Sequence, residues 1–177
     1  KRKDIDAARV MKAPDLDRVI VGVDPSATAG GDEAGIITAG RLGDDYYTLA
    51  DDSVQGSPHV WATAAVTAYY RHKANLIVAE DNNGGEMVEA VIKQVDPNVP
   101  VKRVHASRGK ATRAEPIAAI SEQGRDHHVG TFAALEDEFA KKQKTRKIDA
   151  VEKAILLRVE KDPLADAQAS LDELTFE

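Results

Sequence analysis

In Arg18-Val19-Ile20-Val21-Gly22-Val23-Asp24, positions 19–23 are apolar without interruption, mostly β-branched, and closed by an acid. A strand that is apolar at consecutive positions, rather than at alternate ones, is covered on both faces. Ala74-Asn75-Leu76-Ile77-Val78-Ala79-Glu80 is a second buried run of this kind, and it too ends in an acid. In an open α/β sheet functional groups collect at strand ends. Asp24 and Glu80 are therefore the first candidates for chemistry.

Working outward, Ala34–Ala39 and Tyr46–Ala50 are further strand candidates, joined by Gly40-Arg41-Leu42-Gly43-Asp44-Asp45, which carries hairpin chemistry. The opening reads as an antiparallel meander of three strands. Ser57-Pro58 opens a helix with proline at the first helical position, running to about His72 with Val60, Ala64, Ala65, Ala68 and Tyr69 as its stripe. Asn82-Asn83-Gly84-Gly85 turns the chain into a helix from Glu86 to about Val95. Val101–His105 reads as a strand and Thr112–Gln123 as a helix closed by Gly124. A short extended piece at His128-Val129-Gly130 precedes a helical stretch from Phe132 onward. Residues 1–17 are polar and read as a lead-in or linker, 18–139 as the body of the domain, and 140–177 as a helical C-terminal segment broken at Asp162-Pro163. Strands alternating with helices after a meander predict an α/β fold: a mixed sheet, antiparallel then parallel, flanked by helices.

The chain has 177 residues, 42% apolar and 31% charged, a globular composition. No uncharged apolar run approaches the ~20 residues that cross a bilayer, and no basic segment precedes an apolar one as in a secretory signal. The absence of cysteine excludes disulfides, thiolate metal sites and a thiolate nucleophile. No G-x-x-x-x-G-K-[ST] run occurs, so a phosphate-loop ATPase is excluded from this chain. A net charge of −6 argues against nucleic acid as the default partner. The charge is uneven, however: Lys141, Lys142, Lys144, Arg146 and Lys147 crowd into one short run.

If the strands ending in Asp24 and Glu80 are adjacent and parallel, both carboxylates emerge at one edge. Together they repel each other and favour a hard divalent cation with oxygen ligands. A third acid would complete a two-metal site for phosphoryl transfer, one ion activating water and the other stabilising the leaving oxygen. The plain alternative is that each acid caps a turn or a helix, Asp24 before Pro25 and Glu80 before the Asn-Asn-Gly-Gly turn. Arg108 and Lys110 flank a glycine, with Arg113 three residues on, a patch that lets backbone and cations approach a phosphate; ordinary loop solubility accounts for them equally. The 141–147 run suits a DNA backbone or, more commonly, a solvated helix face. Asn83 and Gly84 belong either to a supporting loop beside Glu80 or to a permissive helix start. Asp51 and Asp52 are spare acids near a strand end, or a polar loop. His127 and His128, adjacent on extended chain, point to opposite faces and read as structural. Ser26 has no histidine evidently placed to activate it.

Many short blocks, in order, carry a family likeness: Ile5-Asp6, Arg9-Val10, Ala13-Pro14, Arg18 to Pro25, Glu33 to Gly40, Tyr47 to Asp51, Ser57-Pro58 with Trp61-Ala62, and Ile77 to Gly85 with Met87-Val88. Later come Ala106 to Lys110, Arg113 to Pro116, Glu122 to Arg125, His127 to Gly130 and Leu135 to Asp137. Over roughly residues 5–138 the chain resembles the C-terminal, RNase H-like nuclease domain of the phage large terminase subunit. The resemblance implies an RNase H-like mixed sheet and an endonuclease that uses two Mg²⁺ or Mn²⁺ ions to cut concatemeric double-stranded DNA. It implies an upstream ATPase domain, a portal and a small terminase subunit as partners, no membrane, and action in the cytoplasm of an infected or lysogenic bacterium. The chain begins at Lys1 without Met, as expected of a piece whose ATPase half lies upstream.

The family's first acid falls on Asp24 and its second on Glu80. Its third sits in a pattern like Pro-Asp-Arg-x-Asp-Ala before an apolar helix, and here the sequence departs. In one register Arg146 replaces the pattern's first Asp while Asp149-Ala150 is kept, making Asp149 the expected third metal ligand. In the other register, Asp162-Pro163-Leu164-Ala165-Asp166-Ala167, the acid is Asp166. The altered tail leaves a rival expectation open: a catalytically inactive module of the same fold, from a defective prophage, that docks DNA or portal without cutting.

Overall fold

A computed structural model of the chain describes residues 2–25, 33–80, 85–104, 119–140 and 147–151, with only the backbone at residues 2, 80, 85 and 86. The expected meander is present. Strands β1 (Arg18–Asp24), β2 (Glu33–Leu42) and β3 (Asp45–Asp51) pair antiparallel in sequence order. The β2–β3 hairpin turns at Gly43, whose φ of 56° is the left-handed conformation that glycine adopts without strain. A two-residue strand, β4 (Val54–Gln55), extends the pairing of β2. Helix α2 (Pro58–Arg71) leads to β5 (Leu76–Glu80), and α3 (Gly85–Val95) to β6 (Val101–Val104). After β7 (Asp126–His128) comes α4 (Ala133–Ala140). The sheet order is β6-β5-β1-β2-β3-β7, with β5, β6 and β7 each pairing parallel to a neighbour.

The uninterrupted apolar runs have the predicted cause. Val21 and Val23 of β1, Ile36 of β2, and Ile77 and Ala79 of β5 pack in one core layer with Trp61, Ala65, Val88 and Ile92 of α2 and α3. Ile20, Ile37, Leu76 and Val78 pack in a second layer with Leu135 of α4 and with Ala150 and Val151. Alternate residues of the same strands thus feed opposite faces, and each large aliphatic side chain so buried contributes ~1.5–3 kcal/mol.

Two sequence expectations change. The buried stripe of α2 is Trp61, Ala62, Ala65, Val66 and Ala68, whereas Val60 is exposed and Ala64 and Tyr69 are only partly covered. The wide Trp61 ring needs a closed layer and sets the helix rotation about its axis, which a count of apolar positions does not reveal. Residues 1–17, expected as a lead-in, form helix α1 (Arg2–Ala8), with Ile5 buried and Val10 bridging Val129 beside β7.

Helical residues 119–122 end in a Schellman turn: Gly124 N–H donates to Ser121 O and Arg125 N–H to Ile120 O, with Gly124 at φ 68°. Helix α2 ends in the same way around Lys73 at φ 49°, with Lys73 N–H donating to Tyr70 O and Ala74 N–H to Tyr69 O. A lysine there carries the Cβ penalty of left-handed backbone. Lys73→Gly is accordingly expected to raise unfolding free energy by about 0.5–1 kcal/mol and Gly124→Ala to lower it by about 1 kcal/mol. Denaturant melts check both; equal signs for the two variants would contradict the shared turn geometry.

Candidate active site

β1 and β5 are neighbours and parallel, with Ile20 opposite Leu76, Val21 opposite Ile77, Gly22 opposite Val78 and Val23 opposite Ala79. The next position on each strand is the terminal acid, Asp24 on β1 and Glu80 on β5. The two acids therefore close adjacent strands at the same sheet edge. Strand alternation also fixes the face: position 24 continues the series of Ile20 and Gly22, and position 80 continues that of Leu76 and Val78. Ile20, Leu76 and Val78 belong to the layer that contains Ala150 and Val151. The helical residues 147–151, which carry Asp149, are thus packed on the face to which positions 24 and 80 belong. Asp149 is buried and Asp24 partly so.

The same turn brings a lysine to this edge. Lys147 Nζ lies 3.2 Å from Asp51 Oδ2 and 3.4 Å from Glu33 Oε1, and its side chain is 9% exposed. Asp51 ends β3 and Glu33 begins β2, two residues from Gly35, the partner of Asp24 across the β1–β2 ladder. Burial works against the ammonium, but Asp51 and then Glu33 outweigh it, and the Lys147 pKa rises above that of an ordinary lysine. Lys147 closes the 141–147 run, read as suiting a DNA backbone or a solvated helix face; here its ammonium is mostly buried and paired with Asp51 and Glu33. Asp51 is correspondingly occupied, its Oδ1 accepting from Ser53 N–H at 3.1 Å. Asp52 forms an ion pair with Arg71.

Asp166, Arg108, Lys110, Arg113, Lys141, Lys142, Lys144, Asn83, Gly84 and Ser26 lie outside the described residues. Among the described residues no three Asp, Glu or His side chains gather as a metal set; the Glu80 side chain is not among them. His127 and His128 turn to different surroundings. The His127 ring stacks on Tyr47 with centroids 4.8 Å apart, its Nδ1 2.8 Å from Ala8 O. His128 is fully buried, its Nδ1 3.2 Å from Glu136 Oε1.

The residues that sequence reasoning passed over form a buried charge cluster at the β7 end of the sheet. Glu136, almost fully buried, accepts from Arg9 Nη1 at 2.7 Å and Nη2 at 3.0 Å and from the Phe132 N–H at 3.2 Å. Arg9 also donates to the Gly130 carbonyl and to Asp6 Oδ1 at 2.7 Å. The Arg9 guanidinium, outweighing burial, holds the Glu136 carboxyl down at about 2. The signal was present in the sequence. Phe132, Leu135, Glu136 and Phe139 occupy the i, i+3, i+4, i+7 stripe of a buried helix face, and an acid on such a stripe demands a partner. Lys147, Ala150 and Val151 show the same anomaly at i, i+3, i+4.

Residues 21–158 match the model of a family described as the terminase RNaseH-like domain. No curated protein matches the chain in sequence. Among solved structures, a human cytomegalovirus terminase nuclease domain, Mn-soaked and inhibitor-bound, is 16% identical with a TM-score of 0.69, covering 92% of this chain and 94% of that one. The P22 large terminase nuclease domain is 18% identical with a TM-score of 0.63, covering 85% and 86%. The large terminase nuclease of thermophilic phage G20c with bound zinc is 12% identical with a TM-score of 0.60, covering 80% and 81%.

Proposed function

The chain belongs to the family of terminase RNaseH-like domains, and from that membership we propose that it is a divalent-metal-dependent DNA endonuclease that cuts concatemeric viral DNA during packaging. The observation that carries the reading is the adjacency of Asp24 and Glu80 on parallel neighbouring strands, with the Asp149 turn packed over the same face. Carboxylate oxygens without thiolate or imidazole suit hard ions, Mg²⁺ or Mn²⁺, and a set of two or three acids at one edge is tolerable only with cations among them. When bound, such ions polarise the scissile phosphate and lower the pKa of the attacking water.

The chain's own part is to hold and orient. Asp24, Glu80 and Asp149 fix the ligand oxygens, with Asp166 as the alternative third acid and Asn83 and Gly84 supporting Glu80. Arg108, Lys110, Arg113, Lys141, Lys142 and Lys144 neutralise duplex phosphates and set register without reading bases. An ATPase domain upstream, a portal and a small terminase subunit are the partners that follow from the same membership, and the bacterial cytoplasm is the compartment. Among the described residues no helix is long and apolar enough to cross a membrane.

A second reading rests on one departure, Arg146 standing where the family pattern has an acid: a domain that docks on DNA or portal and does not cut. Supercoiled plasmid separates the two. Incubation with Mn²⁺ is expected to give nicked and then linear product, abolished by chelator. Plasmid retarded on a gel but never nicked, at any Mn²⁺ concentration, would replace the endonuclease by the docking module.

A further inference from the structure

We propose that Lys147 is a positioning residue of this site, clamping the turn that carries Asp149 against the strand edge that carries Asp24. The inference rests on the endonuclease reading above and names a component of that site which neither the acid pattern nor the fold assigns. Lys147 Nζ bridges Asp51 Oδ2 and Glu33 Oε1, so one ammonium ties the 147–151 turn to the end of β3 and the start of β2 together. Asp51 is itself oriented. Its Oδ1 accepts from Ser53 N–H, and Ser53 Oγ accepts from the Ile36 N–H at 3.1 Å. Ile36 stands opposite Val23, and Gly35 opposite Asp24. The clamp is therefore anchored in the backbone that faces the last two residues of β1.

Helix geometry gives the clamp its effect. Residues two apart on a helix do not share a face, so Lys147 and Asp149 leave the turn on different sides. Holding Lys147 toward β2 and β3 sets the rotation of the turn, and with it the direction of Asp149. Ala150 and Val151 contribute non-directional apolar packing to the turn. A paired, desolvated ammonium adds the direction that apolar contact lacks, the attested use of a buried charge in specifying geometry. With both oxygens engaged, Asp51 serves the clamp rather than the metal.

The test compares wild type with Lys147→Met, Lys147→Arg and Asp51→Asn, reading Mn²⁺ affinity by calorimetry and the Mn²⁺ dependence of plasmid nicking. Lys147→Met is expected to weaken Mn²⁺ binding about tenfold and to slow nicking at limiting Mn²⁺ by about 10- to 100-fold, as for loss of a group that orients a metal ligand. Lys147→Arg is expected to restore most of both. Asp51→Asn retains the lysine but loosens its anchor, so it reports on the clamp even where Lys147→Met does not fold, and a severalfold weaker Mn²⁺ response is expected. Wild-type Mn²⁺ affinity and nicking in both folded Lys147→Met and Asp51→Asn would overturn the positioning role while leaving the endonuclease intact. A wild-type protein that neither binds Mn²⁺ nor nicks DNA would overturn both.

Discussion

Asp24→Asn is expected to reduce Mn²⁺-dependent plasmid nicking by about 10³-fold, the equivalent of about 4 kcal/mol of lost transition-state stabilisation. The substitution preserves size and removes only the charge at the end of β1 that the proposed metal set needs. Glu80→Gln is expected to act equally, because the adjacent, parallel β1 and β5 bring both positions to one edge. The two losses should not add: once either acid is gone the metal set is broken, and groups that act as a unit are non-additive. Asp149→Asn is expected to match them and Asp166→Asn to have little effect, since Asp149 lies in a buried turn packed over Ile20, Leu76 and Val78. Circular dichroism and thermal melts of each variant separate loss of chemistry from loss of fold. Nicking by Asp24→Asn at the wild-type rate would remove the strand-end carboxylates from the mechanism. Inactivity of Asp166→Asn together with full activity of Asp149→Asn would move the third ligand to the tail.

Arg9→Ala is expected to lower stability by about 3–5 kcal/mol, the usual result of deleting one partner of a buried ion pair. What remains beside the carboxylate of Glu136, among the described residues, is His128 and the Phe132 N–H. Arg9 follows α1, whereas Glu136 belongs to α4, so the loss falls on the docking of the N-terminal helix as well as on the domain. The pH dependence has a definite sign. The Glu136 carboxyl titrates at about 2 in the folded chain and near its ordinary value of 4.5 when unfolded. The unfolded state therefore takes up the proton first on acidification. The stabilisation is complete above about pH 4.5 and is lost as pH falls from there toward 2, amounting to about 2–3 kcal/mol across that window. Urea melts between pH 2 and 7 measure it. In Arg9→Ala the acid-side slope should shrink, because the depressed carboxyl owes most to the guanidinium. An unchanged slope, with stability within about 1 kcal/mol of wild type, would show that the cluster contributes little.

The sequence by itself determined the elements whose physics is local. Continuous apolar runs marked β1 and β5 as strands covered on both faces, and the two core layers they feed are the reason. The Gly43 turn set the hairpin, Ser57-Pro58 began α2, and Gly124 ended the helical residues before β7, each through backbone geometry that a few neighbouring residues decide. The two strand-end acids were legible for the same reason, as charges where an apolar run stops. Tertiary structure decided what depends on partners distant in the chain. Lys147 meets Asp51 across 96 residues and Arg9 meets Glu136 across 127. No local pattern sets such pairings, because a buried charge announces only that it needs a partner, and the packing of whole layers determines which one it finds. The rotation of α2 about Trp61, the docking of α1 beside β7, and the conversion of one member of a cationic run into an internal clamp all belong to that second class.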